Sequence, residues 1–306
     1  MGEPTWAGVW PGQATDPYPT RQGGPSREIP RTGQVVFGKP EDGPLTEEEL
    51  DAFDRDGFLV LPNALDQNEV TTLLTELRRL TRSGDDVGTD RMIEEPDGRS
   101  VKSIYQVQAV SEILRGLTEH STFVDRARQI LGSDVYLHQT RANVKPGFTG
   151  TDFFWHSDFE TWHSEDGLPT MRALSVSVSL TDNYDFNGPL MVMPGSHKTF
   201  VTGMGETRPI NWKRSLRDQD VGVPDHAILT ELADRHGIRQ FTGKAGDAVM
   251  FDCNIMHGSN ANITPFARSN IFIVYNSMEN TLQAPFGTQS QRPEYLGSRN
   301  FAPVGR

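Results

Sequence analysis

The spacing of apolar and polar residues divides the chain into a helical first part and a strand-rich remainder. Thr46 with Glu49 three residues on forms a capping box, Leu45 and Leu50 occupy the staple positions, and Gly57 stops the predicted helix. Phe58-Leu59-Val60-Leu61 ahead of Pro62 predicts a short buried strand. The device recurs at Asp66 and Glu69, which open a second helix with Val70, Leu73, Leu74, Leu77 and Leu80 on one apolar stripe. Residues 83–100 are polar and charged, as in a loop or flap. A third helix is predicted from Ser121, burying Val124, Ala127, Ile130 and Leu131, with Gly132 as its stop.

From Val135 the period shortens to that of strands. Between Arg172 and Leu180, Leu174, Val176, Val178 and Leu180 alternate with Ser175, Ser177 and Ser179. The apolar face belongs to a core. The hydroxyl row suits a polar cavity and an ordinary solvent face equally well. Leu190–Met193 lies between two turns, Ala248–Phe251 follows the turn Lys244–Asp247, and Ser269–Tyr275 is a last strong strand. Residues 200–240 read as an insertion between strands. Helices followed by many short antiparallel strands predict an α+β fold: a double-stranded β-helix (jelly-roll, cupin-like) core with N-terminal and flanking helices. Residues 1–40, rich in Gly, Pro, Thr and Arg, are expected as a loosely ordered arm, and 41–306 as a single domain.

Composition narrows the function. The 29 glycines and 20 prolines fit a fold of many turns. A net charge of −12 without a Lys/Arg cluster argues against a nucleic-acid partner. No apolar run approaches the length of a membrane span and no secretory h-region is visible, so the expected location is cytoplasmic. The single cysteine, Cys253, excludes an intramolecular disulfide and a Cys-based zinc site.

Candidate chemistry concentrates between Phe153 and Pro169, which holds two histidines, four acids and five aromatics. His156-Ser157-Asp158 puts an imidazole and a carboxylate on one side of an extended strand. With a second histidine they would make a facial 2-His-1-carboxylate iron(II) site, and His257, after a strand and before Gly258-Ser259, is the candidate. Arg268, eleven residues beyond, offers a bidentate fork for the far carboxylate of a chelating keto-acid. His163 and His197 are not needed as ligands, and His120, His138, His226 and His236 read as surface or structural. Glu160, Glu165 and Asp166 are expected to bond loop backbone.

On these residues the chain resembles the iron(II)- and 2-oxoglutarate-dependent dioxygenases of the phytanoyl-CoA hydroxylase type. Phe153–Pro169 is similar to the motif of the members that hydroxylate ectoine, and the likeness runs from roughly Pro25 to Arg299. The resemblance implies His156, Asp158 and His257 as iron ligands. It implies Arg268 as the grip on 2-oxoglutarate, with Arg141, Asn143 and Ser175 nearby, and O2 as the other cosubstrate. It implies a substrate site of Gln139, Thr161, Trp162, Ser177, Phe251, Phe272 and Arg292, an ectoine-to-5-hydroxyectoine reaction that serves osmotic stress, and a homodimer. A related hydroxylase acting on another small zwitterion, such as a free amino acid, is the nearest alternative. A cupin-like metal- or sugar-binding module without oxygenase activity is a further one.

Overall fold

The computed structural model describes residues 16–82, 87–88, 90–207, 211–216 and 221–305. In chain order the strands are β1 (Glu28–Pro30), β2 (Phe58–Leu61), β3 (Met92–Glu94), β4 (Val101–Tyr105), β5 (Val135–Lys145), β6 (Phe153–His156), β7 (Ala173–Ser179), β8 (Leu190–Val192), β9 (Thr199–Val201), β10 (Arg239–Gln240), β11 (Ala248–Asp252), β12 (His257–Ser259) and β13 (Arg268–Ser277). The helices are α1 (Glu47–Asp56), α2 (Gln67–Arg82), α3 (Val107–Val110), α4 (Glu112–Thr118), α5 (Ser121–Leu131), α6 (Asp158–Thr161), α7 (Trp212–Ser215) and α8 (His226–His236).

The first helices form where their caps place them. Thr46 Oγ1 accepts from the Glu49 amide at 3.3 Å while the Glu49 carboxylate accepts from the Thr46 amide at 2.8 Å. At the other end of α1, Gly57 adopts φ +82° and donates to the Phe53 carbonyl. A Cβ at Gly57 would also strike the His197 imidazole, whose Nε2 donates to the Asp54 carbonyl at 3.0 Å. Gly57→Ala is therefore expected to destabilise the fold by at least about 1–2 kcal/mol from the left-handed backbone alone. A urea titration checks this, and an unmoved midpoint would contradict it.

Thirteen strands make three antiparallel sheets among the described residues. The large sheet runs β2-β11-β7-β13-β5-β4-β3, a smaller one runs β10-β8-β12-β6, and β1 pairs with β9. Neighbours such as β6 and β12 are distant in the chain, which is the crossover pattern of a double-stranded β-helix.

The large sheet has two different faces. Leu174, Val176, Val178, Met250, Ile271, Ile273 and Tyr275 point outward and are covered by Leu50 and Phe53 of α1, Leu73, Leu77 and Leu80 of α2, and Phe123, Val124, Ala127 and Ile130 of α5. The helices bury this face, so Ser175, Ser177 and Ser179 must face the space between the sheets. All three are buried. The cavity reading of the hydroxyl row is the one the fold realises.

Several segments carry more structure than their composition suggests. Within the polar stretch 83–100, β3 pairs with β4 and extends the large sheet, while 83–86 and 89 lie outside the described residues. Residues 107–118 form α3 and α4, and the insertion at 200–240 contains α7 and α8, with 208–210 and 217–220 outside the described residues. In the expected arm, residues 16–40 pack onto the domain: Tyr18 is buried edge-on against Phe159, and Glu28–Pro30 pairs with β9. Residues 1–15 lie outside the described residues. No described helix is long and apolar enough to cross a membrane.

Candidate active site

His156 is the last residue of β6, and the strand register places His257 of β12 directly opposite it. Their rings lie 4.2 Å apart between centroids. Asp158 does not continue the strand, as the spacing had suggested. Ser157 turns the chain, its hydroxyl donating to Asn254 Oδ1 at 3.0 Å, and Asp158 is the first residue of α6. The carboxylate thus comes in from a helical turn, and Ser175 Oγ donates to its Oδ2 at 3.3 Å.

Both imidazoles are oriented by backbone carbonyls. His156 Nδ1 donates to the Phe154 carbonyl at 2.6 Å and His257 Nδ1 to the Ile255 carbonyl at 3.0 Å, which leaves the Nε2 lone pairs aimed inward. His156 Nε2 stands 3.7 Å from Asp158 Oδ1 and His257 Nε2 stands 3.9 Å from Asp158 Oδ2. These gaps exceed a hydrogen bond. Donors about 2.1 Å from a shared metal stand about 3–3.5 Å apart, so a slight contraction would close all three around one ion. The three ligating atoms lie within 4.8 Å of one another, and His257 Nε2 is buried without a hydrogen-bond partner among the described residues. The residues fit a metal.

Electrostatics agrees with that fit. Burial alone would raise the Asp158 carboxyl, but His257, His156 and Arg141 override it and hold it below the usual carboxylate range. Burial, reinforced by His156, pushes His257 down to about 4, so its imidazole is neutral and ready to ligate at neutral pH.

The inner face of the large sheet lines the same space. On β5, Gln139, Arg141, Asn143 and Lys145 share one face by their period of two, and β13 sets Val274, Phe272, Asn270 and Arg268 opposite them. On β7, Ser175, Ser177 and Ser179 oppose Val274, Phe272 and Asn270. Phe251 of β11 pairs with Ser175, its ring 5.2 Å from His257 and 6.4 Å from Phe272. The Arg141 guanidinium sits 4.9 Å above the Phe272 ring and donates to Gln139 Oε1 at 3.3 Å. Asn143 Oδ1 accepts from Ser103 Oγ at 2.9 Å, and Ser177 Oγ accepts from Asn270 at 3.0 Å.

Arg268 is 2 % exposed, and its Nη1 donates to the Gly188 carbonyl at 2.6 Å. Its Nε is buried without a partner, and burial pulls the guanidinium down to about 10, still cationic at neutral pH. No carboxylate among the described residues pairs with it by ion pair. A buried cation in this state awaits an anion. Asn270 and Lys145 belong to the same inner face and escaped the sequence reading. The signal was present in Arg268-x-Asn270-x-Phe272 and Arg141-x-Asn143-x-Lys145, polar residues at every second position of a strand.

Other expected site residues are placed differently. Arg292 is buried, with Nε and Nη2 closed on the two Asp166 oxygens at 2.8 and 2.6 Å, so its bidentate edge is not free for a substrate carboxylate. Gln139 Nε2 donates to the Leu296 carbonyl at 2.6 Å. Trp162 is buried, its ring 4.9 Å from that of His138. Thr161 Oγ1 lies 3.5 Å from both Glu160 Oε2 and Arg21 Nη2. Glu160, Glu165 and Asp166 do not serve loop backbone in the main: the first two bind Arg21 and the third binds Arg292, because charges buried this deeply need charged partners. His163 is held by the Leu168 carbonyl and Asp16, and His197 by Asp54, so neither joins the triad. His138 is fully buried 3.3 Å from Asp166, which is the structural of its two readings.

Residues 53–270 match the model of the phytanoyl-CoA dioxygenase (PhyH) family. The chain belongs to the phytanoyl-CoA dioxygenase family. Within that family it is 52% identical, over 95% of its length and 98% of the relative's, to the ectoine dioxygenase of Streptomyces avermitilis. Among solved structures it superposes on EctD from S. alaskensis with 2-oxoglutarate and 5-hydroxyectoine at a TM-score of 0.87 and 44% identity, covering 95% of this chain and 98% of that one. EctD from S. alaskensis with bound Fe gives a TM-score of 0.85 at the same identity, covering 95% and 97%. The triad stands where the small sheet, which carries both histidines, meets the serine face of the large sheet.

Proposed function

We propose that this protein is an iron(II)- and 2-oxoglutarate-dependent dioxygenase that hydroxylates ectoine to 5-hydroxyectoine, releasing succinate and CO2. The observation that carries the reading is the buried His156–Asp158–His257 cluster, with Arg268 buried and lacking an anion on the same inner surface. The half-identical ectoine dioxygenase and the EctD complex with 2-oxoglutarate and 5-hydroxyectoine support the choice of substrate.

His156, Asp158 and His257 would hold the iron, and the Phe154 and Ile255 carbonyls fix the tautomers that present Nε2. Bound iron(II) supplies the activation of O2, one oxygen atom entering the substrate and the other entering succinate as 2-oxoglutarate loses CO2. Arg268 pairs with the distal carboxylate of 2-oxoglutarate, beside Arg141, Asn143 and Ser175. Ectoine is a small ring with an amidinium cation and one carboxylate. Trp162, Phe251 and Phe272 offer aromatic faces to the cation, although Arg141 already covers one face of Phe272. Gln139, Thr161 and Ser177 supply hydrogen bonds. With its other edge taken by Asp166, Arg292 meets the substrate through Nη1. The two sheets exclude water from the reaction, which protects the oxidant. The reading carries with it a cytoplasmic place, a role in osmotic stress, a homodimer, and no nucleic-acid or membrane partner.

Succinate release measured with ectoine, proline and related zwitterions tests the substrate. Ectoine is expected to be the strongest substrate. Turnover of another compound with none of ectoine would sink the specific reading, and no 2-oxoglutarate consumption with any of them would favour a binding module.

A further inference from the structure

We infer that Arg21, in a segment before the family match, is a positioning residue that sets the substrate wall of this site from the N-terminal side. The inference rests on the ectoine reading above and adds a residue to it. Residues 158–166 form α6 and then one wide helical turn, and they carry Asp158, Thr161 and Trp162 in succession. Such widened turns need support from outside the helix, because their internal hydrogen bonds are poorer.

The support converges on one guanidinium. Arg21 Nε and Nη2 grip Glu160 at 2.9 and 2.7 Å, and Nη1 reaches Glu165 Oε1 at 2.6 Å and Thr207 Oγ1 at 2.9 Å. Nη2 also lies 3.5 Å from Thr161 Oγ1. Thr20 adds a hydroxyl bond to Glu160 Oε1 at 2.7 Å and accepts from the Gly203 amide at 2.8 Å. Arg21 and both glutamates are buried, with side chains 1–4 % exposed. One cation therefore spans both ends of the turn, its third partner Thr207 belonging to the segment that follows β9.

The chain makes room for this contact. Gly222, at φ +80°, packs so closely that a Cβ there would meet the Glu160 carboxylate and the Arg21 guanidinium. Arg21 itself adopts φ +57°, a conformation that costs a non-glycine residue about 1–2 kcal/mol. A fold that only needed the N-terminal segment attached already has Tyr18 packed against Phe159 and Phe200. The fork is aimed at the turn that holds Thr161 and Trp162, so its loss displaces the substrate wall. The cosubstrate grip at Arg268, on the strand face of the large sheet, has no contact with it.

Arg21→Lys keeps the charge and loses the planar fork. It is expected to raise the ectoine KM about tenfold or more and to increase the share of 2-oxoglutarate consumed without hydroxylation, since a small misplacement costs up to about a hundredfold. The KM for 2-oxoglutarate and the visible band formed anaerobically with Fe(II) and 2-oxoglutarate should stay as in wild type. Thr20→Ala, which is the milder change, should move the same parameters in the same direction. An ectoine KM and coupling equal to wild type in both variants overturns the inference, as does an equal rise of both KM values or a fall in kcat alone. A wild-type enzyme that leaves ectoine unchanged sinks the substrate reading itself, an outcome visible before any variant is made.

Discussion

Asp158→Ala is expected to reduce hydroxylation below about one-thousandth of the wild-type rate, on the order of 4 kcal/mol of lost transition-state stabilisation. Asp158 is the carboxylate on which His156 Nε2 and His257 Nε2 converge, at 3.7 and 3.9 Å. Alanine leaves two imidazoles whose centroids are 4.2 Å apart and removes the only negative charge in the cluster. The histidines gain no replacement, since Cys253 is fully buried and its thiol is pushed up by that burial, so it stays protonated. Metal content after reconstitution, measured beside turnover, separates loss of the ion from loss of chemistry. Substantial activity in Asp158→Ala would break the triad assignment.

Arg268→Met should show opposite effects on stability and on binding. The guanidinium is buried with one carbonyl partner and no carboxylate, and its Nε is unsatisfied. Directly opposite it in the strand register is buried Lys145, whose ammonium is pulled down to about 6 by burial and then by the Arg268 charge, so nothing there compensates the guanidinium. Replacing such a cation by an apolar side chain of similar length is commonly neutral or stabilising. The apo variant is therefore expected to unfold at the same or higher urea concentration than wild type. Its KM for 2-oxoglutarate should nevertheless rise at least about tenfold, because a hydrogen-bonded charge pair contributes about 1.5–3 kcal/mol. The stabilisation that 2-oxoglutarate gives the folded wild type should also disappear. An apo variant that is strongly destabilised, with an unchanged KM, would identify Arg268 as a scaffold residue.

The helices α1, α2 and α5 were legible because each declares itself locally: α1 through its capping box and Gly57, α2 through the Asp66–Glu69 cap and an apolar stripe, and α5 through an apolar stripe and Gly132. Of the large sheet, β7 was legible from its period of two and β2, β11 and β13 from apolar runs beside turns, while β3 fell in a stretch that reads as a loop. The small sheet that holds both histidines was harder, since β6, β8, β10 and β12 run two to four residues, too short for periodicity to register. His156 and His257 were found through chemistry and resemblance, with Asp158 misplaced by one element. The serine row of β7 had two equal readings until the outer helices took the other face. Arg21 left no local signal, because its partners lie 139 and 144 residues away. Arg292 was visible as a cation, but its closure on Asp166 depends on a loop packing that no pattern encodes.

The most direct measurement is the mass of the products after incubation with ectoine, Fe(II) and 2-oxoglutarate under labelled dioxygen. The account predicts one labelled oxygen atom in 5-hydroxyectoine and one in succinate, in equal amounts. Unmodified ectoine with 2-oxoglutarate intact would contradict it.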